Sequence, residues 1–360
     1  MWKRNTHAGN ASAPPSVGVE QRVAATDSLD RPLHQLRISV TDRCNFRCTY
    51  CMPKRAFGSS YRFLRRSEVL SFEEIARVTG IFVGLGVEKV RLTGGEPTLR
   101  RDLPRLVEKL ARIDGLREIN LTTNGSRLTE MAGPLRDAGL SRVTVSLDSL
   151  DDETFRAMND VDFPVGRVLD GLEAVRAAGF ENIKVNTVVK RSVNDSAVPE
   201  IAEFFRWTGI NLRFIEFMDV GTTNRWRMQD VITADEILER IGSRFEIEPL
   251  AHQYRDGVAE RWRYADGAGE LGVIASVTRP FCGDCSRVRM SADGRLYTCL
   301  FGVISHDLRG LLRAGASDAC LSDTIGRIWA KRRDQYSESR GGEAQDTDAA
   351  QKVEMSFLGG

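Results

Sequence analysis

Short apolar runs alternate with longer helix-like segments from Leu36 to about Met218. The runs predict six strands, which are Leu36 to Thr41, Lys89 to Thr93, Glu118 to Thr123, Arg142 to Leu147, Ile183 to Val189 and Asn211 to Phe217. The segments between them predict five helices, which are Phe72 to Gly84, Leu103 to Ile113, Leu128 to Ala138, Val165 to Ala178 and Ala197 to Thr208. Repeated βα units predict an α/β fold, here an incomplete (βα)6 barrel with its ligand site at the C-terminal ends of the strands.

Polar and glycine residues follow several of these strands. Asn124 and Asp148 follow the third and fourth strands, but βα loops are polar in most proteins, so neither residue alone indicates a site. The segment Gly94-Gly95-Glu96-Pro97 after the second strand is more informative. Paired glycines let a ligand approach the backbone, and proline fixes the turn.

Six of the seven cysteines form two triplets, Cys44-x3-Cys48-x2-Cys51 and Cys282-x2-Cys285-x13-Cys299. Iron–sulfur clusters are normally held by four thiolates, so a cluster bound by three keeps one iron open for another ligand. The two triplets therefore predict a protein that binds small molecules directly to iron.

The cysteines allow two other interpretations, disulfides and zinc ligands. Disulfides are disfavoured because the first 20 residues contain no apolar signal segment and the cysteine count is odd. Zinc stays open for the downstream triplet, with His306 as a fourth ligand, whereas no further cysteine or histidine closely follows the upstream triplet. We interpret Cys320 as a buried or spare thiol.

The composition is that of a soluble, cytoplasmic globular protein, with 41% hydrophobic and 28% charged residues. No apolar run approaches the roughly 18 to 20 residues of a spanning helix, so no membrane partner is expected. Lysine and arginine number 51 against 50 acidic residues, a net charge of +1 that does not favour nucleic-acid binding. An anionic ligand would have to be bound by local basic residues.

The motif Cys44-Asn-Phe-Arg-Cys48-Thr-Tyr-Cys51, followed by Gly94-Gly95-Glu96-Pro97, resembles the signature of the radical S-adenosylmethionine (SAM) superfamily. The segment from Phe281 to Phe301 and the closing Gly359-Gly360 resemble the GTP 3′,8-cyclase family of molybdenum cofactor biosynthesis. The resemblance extends from about Arg37 to Gly360. It implies a barrel of the radical SAM type with a C-terminal extension carrying a second iron–sulfur cluster.

The resemblance implies two 4Fe-4S clusters and SAM as cofactors. Cys44, Cys48 and Cys51 would hold the cluster whose open iron binds SAM, and Cys282, Cys285 and Cys299 would hold a second cluster facing the guanine of GTP. The positions that match SAM contacts are Tyr50, Gly95, Ser146 and Met218.

The resemblance also implies a substrate site in the barrel. The positions that match GTP contacts are Arg37, Lys89, Arg91, Thr122, Lys184, Arg213, Arg287 and Arg289. Strand lysines and arginines usually form a solvated face, but inside a barrel unpaired cations would be costly, which favours an anionic ligand. The residues expected to take part in catalysis are Arg287, Arg289, Gly359 and Gly360, with the diglycine tail reaching back into the active site.

Four segments follow from these interpretations. Residues 1–30 are predicted to be a disordered leader, 31–220 the radical SAM barrel, 221–334 the region of the second cluster and GTP, and 335–360 a linker with the diglycine tail. The apolar stretch Val353 to Leu358 predicts that the end of the chain docks on the rest of the protein.

The implied activity is that of a lyase which converts GTP to (8S)-3′,8-cyclo-7,8-dihydroguanosine 5′-triphosphate. A 5′-deoxyadenosyl radical removes the hydrogen at C3′ of GTP, and C3′ then attacks C8 of guanine. The implied partners are a reducing electron donor such as a flavodoxin or ferredoxin, cyclic pyranopterin monophosphate synthase as the next enzyme, and a second copy in a homodimer. The alternatives are a peptide-maturing radical SAM enzyme and a zinc-binding module without catalysis.

Overall fold

The computed structural model describes residues 24–251, 257–340 and 352–359. Residues 1–23, most of the predicted leader, lie outside the described residues, as do 341–351 of the predicted linker and Gly360. Residues 24–30 pack against the fold. Ala25 donates a hydrogen bond to the carbonyl of Leu85 at 3.0 Å, and Asp27 is buried. The ordered fold therefore begins before residue 31, where the sequence placed the boundary.

The strands are β1 (Gln35–Ser39), β2 (Lys89–Thr93), β3 (Glu118–Thr123), β4 (Arg142–Ser146), β5 (Ile183–Val189), β6 (Asn211–Glu216), β7 (Ile247–Leu250), β8 (Glu260–Tyr264), β9 (Glu270–Ile274), β10 (Arg287–Met290), β11 (Arg295–Tyr297) and β12 (His306–Asp307). The helices are α1 (Phe72–Gly84), α2 (Leu103–Ala111), α3 (Leu128–Asp137), α4 (Asp152–Asn159), α5 (Val165–Ala177), α6 (Val198–Phe205), α7 (Ala234–Gly242), α8 (Leu308–Arg313), α9 (Asp318–Ala330) and α10 (Met355–Leu358). Among the described residues, none of these helices combines the length and apolar character needed to cross a membrane.

Within the described residues the strands form one sheet in the order β12-β11-β10-β1-β2-β3-β4-β5-β6-β9-β8-β7. Strands β1 to β6 are parallel, and β10 and β9 continue the parallel run beside β1 and β6. The outer strands at both edges pair antiparallel. The predicted α/β fold with a mostly parallel sheet is confirmed. The edge strands after Phe217 were not predicted, because they are short and their pairing depends on contacts distant in sequence.

Period-two alternation gives the central strands one apolar and one polar face. Leu36 and Val90 are fully buried, stand opposite each other on β1 and β2, and belong to the core shared with the helices. Arg37 comes next on β1 and stands opposite Arg91 and Arg289. The register therefore gathers basic side chains on the face that does not pack against the helices.

The predicted strands and helices are all present, with ends shifted by at most three residues. Helices α7, α8, α9 and α10 lie beyond the last predicted strand and were not predicted. Within the predicted βα region one further helix, α4, was missed. Its N-cap Asp151 accepts a hydrogen bond from the backbone of Thr154 at 2.8 Å, which is the local signal that starts it. The carbonyls at its C-terminal end accept hydrogen bonds from the backbone of Arg47 and Thr49 at 2.9 and 3.0 Å. This short helix therefore holds the loop that carries the first cysteine triplet.

Candidate active site

The first cysteine triplet lies in the loop that follows β1. Cys44, Cys48 and Cys51 are free thiols of intermediate exposure. The guanidinium of Arg47 donates to the carbonyls of Cys44 and Phe46, both at 2.8 Å. Together with the bonds to α4, these contacts fix the backbone of the loop and leave the sulfurs available as ligands.

Burial dominates the electrostatics of this triplet. Burial, followed by the negative charge of Glu96, raises the pKa of the Cys44 thiol to about 12. The pKa values of Cys48 and Cys51 are also raised, in each case by burial first and then by a neighbouring cysteine. Three thiolates at these positions therefore need a cationic centre to compensate for lost hydration, and iron supplies such a centre.

The two glycines after β2 are required by their surroundings. Gly94 has a φ of 151°, and the backbone of Gly95 donates to the carbonyl of Thr41 at 2.8 Å. A Cβ atom at Gly95 would lie 2.2 Å from the carbonyl oxygen of Arg43, closer than any side chain allows. The turn thus packs directly against the start of the cysteine loop, and this close approach requires glycine at position 95.

Glu96 joins this turn to the end of the next strand. Its buried carboxylate accepts hydrogen bonds from the hydroxyls of Thr98 and Thr123 at 2.6 and 2.7 Å, and from the backbone of Asn124 at 2.7 Å. The side chain of Asn124 lies 3.9 Å from the sulfur of Cys44. Glu96 was not predicted as a site residue, although the Gly-Gly-Glu-Pro motif marked its position.

The predicted SAM contacts Tyr50, Gly95, Ser146 and Met218 lie at or beyond the C-terminal ends of strands, in the loops after β1, β2 and β6 and at the end of β4. Tyr50 donates a hydrogen bond to Asp148 at 2.7 Å. Burial raises the pKa of Asp148 to about 6, although Tyr50 and the backbone of Val188 stabilise its charged form. Polar groups therefore gather at the edge of the sheet where the cysteine loop lies.

Eight cations lie at alternate positions of the strands, on the polar face of the sheet. They are Arg37, Lys89, Arg91, Arg142, Lys184, Arg213, Arg287 and Arg289. All of the predicted basic contacts are in this set, and Thr122 accepts a hydrogen bond from Arg91 at 3.2 Å. Arg142 was not predicted as a site residue. It lies 2.5 Å from the carboxylate of Glu118, which also lies 3.9 Å from Lys89.

These cations disfavour one another. Burial, followed by the charges of Arg289 and Arg91, lowers the pKa of Arg37 well below its usual range. Burial, followed by the charges of Arg213 and Arg142, lowers the pKa of Lys184 to about 6. A pKa lowered by like charges means that the folded protein holds these groups at a cost, which a bound anion would relieve.

Several buried polar atoms on the same face have no hydrogen-bond partner. They are Nε of Arg37, Nε of Arg142, Oδ1 of Asn120, Oγ1 of Thr144 and Oδ1 of Asn186. Buried polar groups are normally satisfied, so this set indicates a ligand with both acceptors and donors. The last three were not predicted. Their signal in the sequence is their period-two spacing from Thr122, Arg142 and Lys184.

The second triplet comprises Cys282, Cys285 and Cys299, which are free thiols in the loops that flank β10 and β11. Burial opposes ionisation of Cys285, but the charges of Arg287 and Arg332 outweigh it and lower the pKa of this thiol to about 6. The nitrogen Nη2 of Arg332 lies 3.2 Å from the sulfur of Cys285. Burial, followed by the carboxylate of Asp334, raises the pKa of Cys299 to about 11, so the positive environment is that of Cys285.

His306, weighed as a zinc ligand, lies on β12 and pairs with Leu296 on β11. Across residues 24–251, 257–340 and 352–359, no three or more His, Cys, Asp and Glu side chains are gathered as ligands of a single metal ion. Thiolates of an iron–sulfur cluster bind different irons, so they lie further apart than the ligands of one ion. Cys320 is exposed on α9, which makes it a spare and not a buried thiol.

The end of the chain lies against the sheet. Leu358 is fully buried, and the carbonyl of Gly359 accepts a hydrogen bond from the guanidinium of Arg289. Gly359 has a φ of 72°, and a Cβ atom there would lie 2.0 Å from the side chain of Thr93. Upstream, the Glu354 carboxylate accepts a hydrogen bond from the backbone of Thr222 at 2.9 Å. Gly360, the other predicted catalytic glycine, lies outside the described residues.

Two family models match the chain. Residues 38–205 match the radical SAM superfamily, and residues 210–338 match the Molybdenum Cofactor Synthesis C family. A GTP 3′,8-cyclase of Acidothermus cellulolyticus is 52% identical over 356 residues, which cover 93% of this chain and 98% of that protein. GTP 3′,8-cyclases of Staphylococcus epidermidis and Staphylococcus aureus are 44% and 42% identical, with the same shares covered. The chain belongs to the GTP 3′,8-cyclase family of radical SAM enzymes.

Solved structures similar to this family member include Streptococcus suis SuiB bound to S-adenosylmethionine. It has a TM-score of 0.57 at 16% identity, over 82% of this chain and 68% of that one. SuiB bound to the precursor peptide SuiA has a TM-score of 0.58 at 12% identity, over 90% and 71% of the two chains. At these identities the likeness concerns the fold alone.

Membership of the radical SAM superfamily implies SAM and a 4Fe-4S cluster. The residues present fit both groups. Three free thiols stand on a loop whose backbone is held independently of them, and the turn at Gly95 packs directly against that loop.

Replacing Gly95 with alanine tests this turn. The added Cβ meets the Arg43 carbonyl, so the turn must move away from the cysteine loop, and we expect SAM affinity of the iron-loaded protein to fall about tenfold or more by calorimetry. Gly80→Ala is the matched control, because its Cβ would meet nothing within 4 Å inside α1 and should leave affinity unchanged. Unchanged SAM affinity in Gly95→Ala would contradict the assignment.

Proposed function

We propose that the chain converts GTP to (8S)-3′,8-cyclo-7,8-dihydroguanosine 5′-triphosphate, the first step of molybdenum cofactor biosynthesis. The observation that carries this proposal is the set of strand-borne cations with lowered pKa values on the polar face of the sheet. A triphosphate supplies the anionic charge that these groups lack. The GTP 3′,8-cyclase relatives carry the same activity in their names.

Cys44, Cys48 and Cys51 are proposed to hold the first 4Fe-4S cluster, and Tyr50, Gly95, Ser146 and Met218 are proposed to line the SAM site. When bound, the cluster and SAM supply the radical that removes the hydrogen from C3′ of GTP, after which C3′ bonds to C8. The protein holds C3′ near the radical source and near C8, and it excludes water and other hydrogen donors.

The proposed GTP site uses the polar face of the sheet. Arg37, Lys89, Arg91, Lys184 and Arg213 bind the substrate together with Thr122, Arg287 and Arg289. Arginine forks suit phosphate oxygens, and the set spans neighbouring strands in register, so its geometry is fixed by the sheet. The unsatisfied atoms of Asn120, Thr144 and Asn186 extend this site, since oxygen acceptors can receive hydrogen bonds from the amine or ribose hydroxyls.

The second triplet, Cys282, Cys285 and Cys299, is proposed to hold a second 4Fe-4S cluster whose open iron faces guanine. β10 begins just after Cys285 and carries Arg287 and Arg289, so the proposed cluster and the proposed substrate site are neighbours along the chain. The diglycine tail, Gly359 and Gly360, is proposed to complete the site. The bond from Arg289 to Gly359 fixes the direction of that guanidinium.

The proposed reaction consumes two electrons, one for cleavage of SAM and one, with a proton, for reduction of the cyclised nucleotide radical, so a reducing partner such as a flavodoxin or ferredoxin must supply them. The product passes to the cyclic pyranopterin monophosphate synthase. The peptide-maturing alternative has the same fold, because SuiB resembles this chain and binds the peptide SuiA. It does not account for the clustered cations, which a peptide substrate would not require.

An anaerobic assay with GTP deuterated at C3′ tests the function. Iron-loaded protein with SAM and dithionite should form 5′-deoxyadenosine that carries deuterium, together with a cyclised isomer of GTP that has lost the deuterium. Cys51→Ala is the control, and it should form neither product because the first cluster is lost. Cleavage of SAM without deuterium transfer from GTP would reject GTP as the substrate and favour the peptide-maturing alternative.

Lys184 predicts proton uptake when GTP binds. Its pKa of about 6 makes it largely neutral near pH 8, and a bound triphosphate would raise that pKa and so favour the charged form. Calorimetry in two buffers of different ionisation enthalpy should show uptake of part of a proton in the wild type and less in Lys184→Met. Lys109→Met, at a surface ion pair with Glu73, should match the wild type. Equal proton uptake in wild type and Lys184→Met would show that Lys184 does not contact the phosphates.

Arg142 was not predicted as a site residue from the sequence, and its role in GTP binding can be tested by substitution. Arg142→Met removes a cation that faces Lys184 and Arg213, and we expect the KM for GTP to rise about tenfold or more, as is typical when a charged hydrogen bond is lost. Arg136→Met on the exposed side of α3 is the control. A KM unchanged in Arg142→Met would place this side chain outside the substrate site.

A further inference from the structure

Two buried arginines hold the turn that carries Cys282 and Cys285. Arg31 donates to the carbonyl of Cys282 at 2.9 Å, and Arg332 donates to the carbonyl of Cys285 at 2.6 Å. Both arginines also pair with Asp27, at 2.6 and 3.4 Å. The residues before β1 and those after α9 therefore clamp this turn together.

Arg332 also contacts the sulfur of Cys285, which Arg31 does not. Its Nη2 lies 3.2 Å from the sulfur of Cys285, within hydrogen-bonding distance. The side chain is 1% exposed, and its guanidinium lies 4.6 Å from the ring of Trp329. The hydroxyl of Ser28 donates to the carbonyl of Arg332 at 2.6 Å. The cation is thus fixed beside the sulfur and shielded from water.

We propose that Arg332 is a positioning residue that raises the reduction potential of the second cluster through its contact with the sulfur of Cys285. The proposal rests on the second cluster of the proposed function. Reduction adds one negative charge to a cluster, and a buried cation that donates to a ligand sulfur stabilises the reduced form more than the oxidised form. Arg31 contacts this turn at the carbonyl of Cys282, and its other bonds are to the carbonyl of Asp334 and the carboxylate of Asp27, so its contribution is to the backbone.

The test compares Arg332→Met with Arg31→Met in the full chain loaded with iron. Both variants remove one of the two arginines that pair with Asp27, so they perturb the same clamp, but only the first removes the donor to sulfur. The reduction potential of each cluster is measured by anaerobic titration followed by electron paramagnetic resonance. A background in which Cys44, Cys48 and Cys51 are alanine assigns the signal of the second cluster.

We expect Arg332→Met to lower the reduced-to-oxidised ratio of the second cluster about tenfold at a fixed potential, which is about 59 mV for a one-electron couple. The potential of the first cluster should stay unchanged. Arg332→Lys keeps a cation near the sulfur and should restore most of the shift. Arg31→Met should leave the potential of the second cluster at the wild-type value.

Three results would overturn the proposal. The first is an unchanged potential of the second cluster in an Arg332→Met protein with full iron content. The second is an equal shift of that potential in Arg31→Met. The third is loss of the second cluster in both Arg332→Met and Arg332→Lys, because the arginine would then act only in cluster assembly. If the wild-type protein holds iron for only one cluster, the presence of the second cluster is rejected. Metal analysis of the wild-type protein gives this result before any variant is titrated.

Discussion

Mutual repulsion among the cations on the polar face of the sheet is the constraint on which the rest of the structure depends. Eight lysines and arginines share this face, and Glu118 balances them only in part. Such a face is stable only because the opposite face of the same strands is apolar and fully packed, as at Leu36 and Val90. The helices therefore supply the stability that an empty site lacks, and a bound triphosphate would relieve the repulsion. A site with this much unbalanced charge is prepared for a highly charged anion.

The C-terminal region brings the second cysteine triplet beside the polar face of the sheet. β10 pairs with β1 in parallel, so Arg287 and Arg289 join the row that begins with Arg37. The end of the chain then returns to the same face, where Gly359 accepts a hydrogen bond from Arg289. β10 therefore links the second triplet, the polar face of the sheet and the end of the chain. This arrangement explains why two matched family models, at residues 38–205 and 210–338, describe one sheet and not two separate units.

The six central strands and the cysteine triplets could be predicted from the sequence, because period-two alternation and motif spacing are local signals. The residues that were missed have a different physical character. Arg142 and Asn120 belong to the site only because strand register carries them beside Arg91, and register is set by contacts between strands. Glu96 accepts two hydrogen bonds from nearby Thr98 and two from Thr123 and Asn124 at the end of β3, and no local pattern encodes the latter two. The edge strands were not predicted for the same reason, because short strands are defined by pairing with strands that are distant in sequence.

The leading charged neighbours of Cys44 and Cys285 differ in sign. The carboxylates of Glu96 and Asp148 lie near the first triplet and act on Cys44 and Cys48, whereas Arg287 and Arg332 lie near the second triplet. A neighbouring negative charge opposes the addition of an electron, and a neighbouring positive charge favours it. For the two proposed clusters we expect these side chains to make the first the stronger reductant, which suits cleavage of SAM. The second then holds an electron more firmly, beside the face where the cyclised nucleotide must finally be reduced.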